Sequence, residues 1–282
     1  MQNKKNNTVG PEKFKQLRPS KQANYFRTDK SYGQHFLTDK NILQQIVAGG
    51  EIAPDDFILE IGAGEGVLTC ELSKASKNVL SLEIDQRLFK ILEEKFSASS
   101  NVKIKNEDAL KLDPQSLPES YKIISNIPYN ITSKILEKFL TASNQPTLIV
   151  LLVQKELAER VCAGEGDKSF LSVLVQYFGE PKILKVVSRF SFSPPPQVES
   201  AILKINNITR RLKESDEKIF FQLVKIGFSQ KRKMLKKNLK SFLDEKVILS
   251  GFKEARIDLN ARAEEISLEK WLILAKNVFK KE

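Results

Sequence analysis

Four consecutive residues, Asn126, Ile127, Pro128 and Tyr129, carry the most specific chemistry in the chain. An exocyclic adenine amine is flat, because its lone pair is delocalised into the ring, and it is a poor nucleophile. The Asn126 side chain and the Ile127 carbonyl can accept its two hydrogens and turn the lone pair toward an electrophile. Pro128 stiffens the turn. Tyr129 offers a ring face on which a base can stack, worth roughly 1–3 kcal/mol. With a good leaving group on the donor, such a site needs no general base before transfer; it needs orientation and exclusion of water. The plain alternative is a turn whose Asn and Pro only end a strand.

The donor half is read upstream. Phe57–Ile61 has the composition of a strand, Gly62-Ala63-Gly64-Glu65-Gly66 follows, and a helical run starts at Val67. Glycines at such a turn let the backbone approach a ligand where no Cβ intervenes. A dinucleotide fingerprint would have glycine at position 67, where the chain has Val67. The pattern from Glu60, E-x-G-x-G-x-G, is similar instead to the S-adenosylmethionine (SAM) loop of class I methyltransferases. Glu83 ends the second strand-like run, 21 residues after Gly62, where a carboxylate can accept both hydroxyls of a ribose. Asp85 is read as the cap of the next helix. Asp108, just past the third run, resembles the acid that accepts from the adenine amine of SAM.

Elements that could position these residues alternate along the chain. Strand-like runs fall at Phe57–Ile61, Val79–Glu83, Val102–Lys105, Tyr121–Ser125, Thr147–Val153, Ile183–Arg189 and Ala201–Ile205. Helical stretches such as Gln86–Phe96, Thr132–Thr141 and Lys155–Val161 lie between them. The alternation predicts an α/β fold, a doubly wound sheet of parallel strands joined by crossover helices. After Ile205 the apolar residues follow helical spacing, as at Phe220, Leu223, Val224 and Trp271, Leu274, Ala275, Val278. The 282 residues suit about two domains at ~150 residues each. We expect a basic, disordered tail over 1–30, a catalytic domain over 31–207 and a small helical domain over 208–282.

Composition narrows the partners. Lys and Arg number 46 against 35 Asp and Glu, a net charge of +11, which favours a polyanion. Cys70 and Cys162, both expected in helices, form no CxxC pair, so neither a disulfide scaffold nor a zinc site is expected, and a reducing compartment such as the cytoplasm is. A single histidine, His35, rules out His-rich metal chemistry, and no metal is expected. No apolar run approaches the ~20 residues that span a membrane. Lys231, Arg232, Lys233, Lys236 and Lys237, with Lys240, form a dense basic run, read as one helix with Met234, Leu235 and Leu239 turned inward and its cations on an RNA backbone.

Taken together, these motifs resemble the small-subunit ribosomal RNA adenine dimethyltransferase family. Ser31-Tyr32-Gly33-Gln34-His35-Phe36-Leu37 looks like its G-Q-[NH]-F-L segment, and the resemblance makes His35 and Leu37 cofactor contacts. Gln154-Lys155-Glu156, Ser172–Gln176, Phe228–Lys233 and Ala261–Ser267 are similar to further family segments. Phe192–Ser200 matches F-x-P-x-P-x-V-x-S, which implies that Phe192 covers the second face of the target base. The likeness runs from about Ser31 to the end. It implies a class I Rossmann-like seven-stranded sheet with a C-terminal helical domain. It also implies SAM-dependent N6,N6-dimethylation, by a monomer, of two adjacent adenosines near the 3′ end of small-subunit (16S) rRNA. The substrate would be a pre-assembled small ribosomal subunit, which links the chain to ribosome biogenesis. Two other readings are an adenine methyltransferase of large-subunit (23S) rRNA of the macrolide-resistance type, and a non-catalytic nucleic-acid-binding assembly or transcription factor. The intact glycine loop, Glu83, Asp108 and Asn126–Tyr129 weigh against the last.

Overall fold

The structure, a computed structural model, describes residues 35–279. The expected tail over 1–30 and the first part of the G-Q-[NH]-F-L segment lie outside the described residues. A seven-stranded sheet forms the centre. Its strands are β2 (Phe57–Ile61), β3 (Asn78–Leu82), β4 (Val102–Lys105), β5 (Lys122–Asn126), β6 (Leu148–Gln154), β7 (Glu180–Val187) and β9 (Ser200–Asn206). They lie in the order β4-β3-β2-β5-β6-β9-β7. Two further short strands, β1 (Phe36–Leu37) and β8 (Phe192–Ser193), pair with each other. β6 reads Leu-Ile-Val-Leu-Leu-Val-Gln and buries all but its last residue, as a central strand covered on both faces does.

Helices α1 (Lys40–Gly49), α2 (Val67–Ala75), α3 (Gln86–Lys95), α4 (Thr132–Thr141), α5 (Lys155–Val161) and α6 (Phe170–Phe178) cover the sheet. Asp85 caps α3 as expected: its Oδ1 accepts from the Arg87 N–H at 2.9 Å. The pattern located all seven strands to within a few residues, but the sheet is not wholly parallel. β9 runs antiparallel to both β6 and β7. Residues 188–199, which join β7 to β9, contain no crossover helix, so the two strands can only fold back on each other. Cys70 lies within α2, whereas Cys162 sits just past the end of α5, where burial pushes its thiol up.

Beyond β9 the chain is helical: α7 (Glu214–Gly227), α8 (Leu235–Leu239), α9 (Glu245–Glu254) and α10 (Leu268–Phe279). Their apolar faces close around Trp271, which is fully buried. Gly227 makes room for it, since a Cβ there would come within 2.4 Å of the indole. The apolar core does not stop at the sheet. Phe220, Leu223 and Trp271 belong to one buried cluster with Leu151, Tyr177 and Phe178. Tyr177 donates its hydroxyl hydrogen to Glu217 at 3.2 Å and receives the Leu212 N–H at 3.0 Å, while Arg210 pairs with Glu217. No described helix is long and apolar enough to cross a membrane.

Candidate active site

The order of strands reverses beside β2: β3 and β4 lie on one side, β5 and β6 on the other. In such sheets the crevice at the carboxyl ends of the strands, where the order reverses, is the place for a ligand. Here it is a cavity of about 290 Å³. Gly62–Glu65, of the loop Gly62–Gly66, line it. Gly62, Gly64 and Gly66 have φ of 76°, 58° and 73°, a region that costs an L side chain roughly 1–2 kcal/mol. Space also excludes one at Gly66, where a Cβ would lie 2.6 Å from Leu92 and 2.9 Å from Phe96.

Glu83 follows β3 and is 5% exposed, with its carboxylate against this loop. Oε2 accepts from the Gly64 N–H at 2.8 Å and Oε1 from the Asp85 N–H at 2.9 Å. Burial pushes its pKa up, against these bonds. Asn106 holds the same corner: its Nδ2 donates to the Glu83 carbonyl at 2.8 Å. Asp108 lines the cavity and accepts from the Leu110 N–H at 2.9 Å, which fixes the turn it stands on.

Asn126 is the last residue of β5, and Asn126, Ile127, Pro128 and Tyr129 all line the cavity. The two loops lie close together: a Cβ at Gly62 would lie 3.4 Å from Pro128 and 3.8 Å from the Asn126 carbonyl oxygen. Tyr129 opens a short turn, Tyr129–Ile131, and its hydroxyl shares a 2.7 Å hydrogen bond with Ser200. Burial raises its pKa, so the phenol stays neutral. His35 and Leu37 also line the cavity. The His35 ring stacks 6.1 Å from that of Tyr129, and His35 Nδ1 lies 2.8 Å from the Pro194 carbonyl oxygen.

The structure thus gathers His35, Leu37, Gly62, Gly64, Glu83, Asp108 and Asn126–Tyr129 around one space. It does not bring Phe192 there. Phe192 is 4% exposed, pairs with Leu37 across β1 and β8, and packs among Leu37, Ile42, Leu43 and Ile202. The basic run is also not one helix. Lys231, Arg232 and Lys233 occupy an exposed turn between α7 and α8, and only Lys236 and Lys237 are helical. Leu235 and Leu239 are buried as expected, while Met234 is only partly so. Asn238 shapes this turn, donating from Nδ2 to the carbonyls of Gly227 at 2.6 Å and Gln230 at 3.2 Å.

Several wall residues escaped the sequence reading. Glu60, seen only as the first letter of the glycine motif, is 1% exposed and also lines the cavity. Its Oε2 accepts from the hydroxyls of Thr69 and Ser81, both at 2.6 Å, and burial pushes its pKa up to about 7. Phe36 and Ile84 also line the cavity. Ile84 is 49% exposed, and an apolar side chain left in the open directly after Glu83 was a usable signal.

The family described as ribosomal RNA adenine dimethylase matches residues 25–280. A relative from Dehalococcoides mccartyi, named ribosomal RNA small subunit methyltransferase A, is 37% identical over 95% of this chain and 94% of its own length. A relative of the same name from Alkaliphilus oremlandii is 38% identical over 91% of this chain and 93% of its own. Among solved structures, a dimethyladenosine transferase from Plasmodium falciparum aligns with a TM-score of 0.76 and 28% identity over 88% of this chain and 98% of that one. The 23S rRNA methyltransferase ErmE aligns with a TM-score of 0.73 and 29% identity over 86% and 99%. With the family match spanning nearly the whole chain and a methyltransferase-like cavity beneath it, this chain belongs to the ribosomal RNA adenine dimethylase family.

Proposed function

We propose that this adenine dimethylase places two methyl groups on N6 of each of two neighbouring adenosines near the 3′ end of small-subunit rRNA, using SAM as donor. The observation that carries the reading is that the Gly62 loop and the Asn126–Tyr129 loop lie close together on one cavity, a cofactor cradle beside a turn suited to an amine. The cavity suits SAM: left-handed glycines line it without side chains, and carboxylates stand at separate strand ends. His35, Leu37, Gly62, Gly64, Glu83 and Asp108 would hold it, Glu83 at the ribose and Asp108 at the adenine. Bound there, SAM supplies a methyl group activated by its sulfonium.

The chain's own residues then orient the acceptor. Asn126 and the Ile127 carbonyl take the two amine hydrogens, and the lone pair is left facing the cavity. After one methylation and loss of a proton to water a single hydrogen remains, and either acceptor can hold it for the second. Tyr129, its hydroxyl anchored on Ser200, presents a fixed ring to the base. The target must be unstacked before it can enter. Lys231, Arg232, Lys233, Lys236 and Lys237 meet the RNA backbone. The enzyme works as a monomer, in the cytoplasm, on a partly assembled small subunit.

Higher identity to relatives named for the small subunit than to the 23S enzyme supports this substrate. Incubation with labelled SAM and undermethylated small subunits, followed by mapping of the label, tests it. Two adjacent labelled adenosines near the 3′ end are expected. Label on naked 23S rRNA and none on small subunits would overturn the reading.

A further inference from the structure

Phe190 is 73% exposed, the highest value among the exposed large hydrophobic side chains of the described residues. A lone exposed apolar residue is ordinary, but three features set this one apart. First, it is held rigidly. It sits in the tight turn Arg189–Ser191, with Val187 and Phe192 buried on either side at 1% and 4% exposure. The Phe190 N–H donates to Ser188 Oγ at 3.3 Å, and the Ser191 carbonyl accepts from the N–H and the hydroxyl of Thr38 at 2.9 and 3.0 Å. The ring is therefore aimed at solvent by a fixed backbone.

Second, it carries a cation. The Arg189 guanidinium lies 4.9 Å from the ring centroid. An aromatic ring and a guanidinium plane in contact are the two surfaces on which unpaired RNA bases stack. Third, its segment is tied to the wall of the candidate active site. Phe190 is two residues from Phe192, a reach of at most ~7 Å. Phe192 pairs with Leu37, and Leu37 lines the cavity.

We propose that Phe190 and Arg189 form a stacking platform for an unpaired rRNA base flanking the target adenosine. The proposal rests on the rRNA reading above and extends it to an element outside the cavity. A flipped adenosine leaves its neighbours partly unstacked, and a ring fixed on that segment would hold one of them. The Arg189 charge suits the phosphates that come with that base, and the chain's net charge of +11 suits RNA over a neutral or basic protein surface.

The test uses full-length Phe190→Ala, Phe190→Tyr and Arg189→Ala with undermethylated small subunits. Losing a stacked base should weaken subunit binding roughly fivefold or more. KM for subunits should rise with it in Phe190→Ala, with kcat, SAM affinity and Tm unchanged. Phe190→Tyr should restore most of the affinity, and Arg189→Ala should lower both the affinity and its dependence on salt. A photo-crosslinking amino acid at position 190 should attach to rRNA. Unchanged binding in Phe190→Ala would overturn the platform. So would a loss shared with SAM affinity or Tm, a failure of Tyr to restore binding, or a crosslink to a ribosomal protein. If the wild-type chain binds subunits but transfers no methyl group, the proposed reaction fails, and the platform is still decided by binding and crosslinking.

Discussion

The cavity and the basic turn are shaped by different kinds of constraint. At the cavity, several side chains are fixed by something other than a substrate. Glu83 is bonded to two backbone N–H groups, Glu60 to two hydroxyls, Tyr129 to Ser200, and the glycines stand where a Cβ is strained or blocked. At the basic turn only the backbone is fixed, by Asn238, while Lys231, Arg232 and Lys233 end in solvent. A methyl transfer tolerates little error in position, whereas attraction to a polyanion is long-ranged and asks only for charge. Substitutions at the cavity should therefore act one residue at a time. Those at the turn should act in proportion to the charge removed.

The largest effect is expected at Asn126. Asn126→Ala removes one of the two acceptors proposed for the amine, and kcat should fall by at least ~10²-fold, the scale of a misplaced reactant. SAM affinity, measured by calorimetry, should stay nearly intact. Near-normal single-turnover rates would remove Asn126 from the role assigned to it.

That prediction was open to sequence reasoning because the amine turn, the glycine loop and the acids at strand ends are short, local patterns. Each is set by what the backbone must do within a few residues. The features that were missed depend on pairing between distant segments. Phe192 is buried in a cluster that includes Leu37, Ile42 and Leu43, some 150 residues earlier in the chain, and no local pattern encodes that packing. β9 runs antiparallel because its connection lacks a helix, and a list of strands carries no direction. The basic turn reads as helix in a one-dimensional pattern. Its flanking Leu235 and Leu239 keep helical spacing, and the break before Met234 comes from tertiary ties of Asn238 to Gly227.

The next effect separates the two regions by pH. Glu60 holds its proton to about pH 7 in the folded chain, against an ordinary value of 4.5, because its carboxyl is buried. The folded state thus keeps a proton that the unfolded state releases in that window. Stability is full below about pH 4.5 and falls as pH rises toward 7, by ~3 kcal/mol. Glu60→Gln keeps an oxygen for Thr69 and Ser81 and should flatten the decline in thermal melts taken from pH 5 to 7.5. An equal decline in the variant would mean that another group carries it.

Glu83→Ala comes next. A charged acceptor contributes about 1.5–3 kcal/mol, so the SAM dissociation constant should rise roughly 10- to 100-fold, with RNA affinity unaffected. Unchanged SAM affinity would place the ribose elsewhere and would loosen the claim that the cavity is set residue by residue.

The smallest single-residue effects, and the sharpest test of the contrast, lie at Lys231, Arg232 and Lys233. If these cations neutralise phosphates, each contributes ~0.7 to 0.9 to the slope of log affinity against log salt. Alanine at all three should therefore lower that slope by ~2 to 3, and each single variant should remove about a third of it. At low salt the triple variant should still bind rRNA, because the remaining cations act at long range. SAM affinity, set by bonds inside the cavity, should not move with salt or with these substitutions. One of the three carrying most of the loss would break the comparison, since it would mean that a particular bond at the turn, and not its summed charge, positions the RNA.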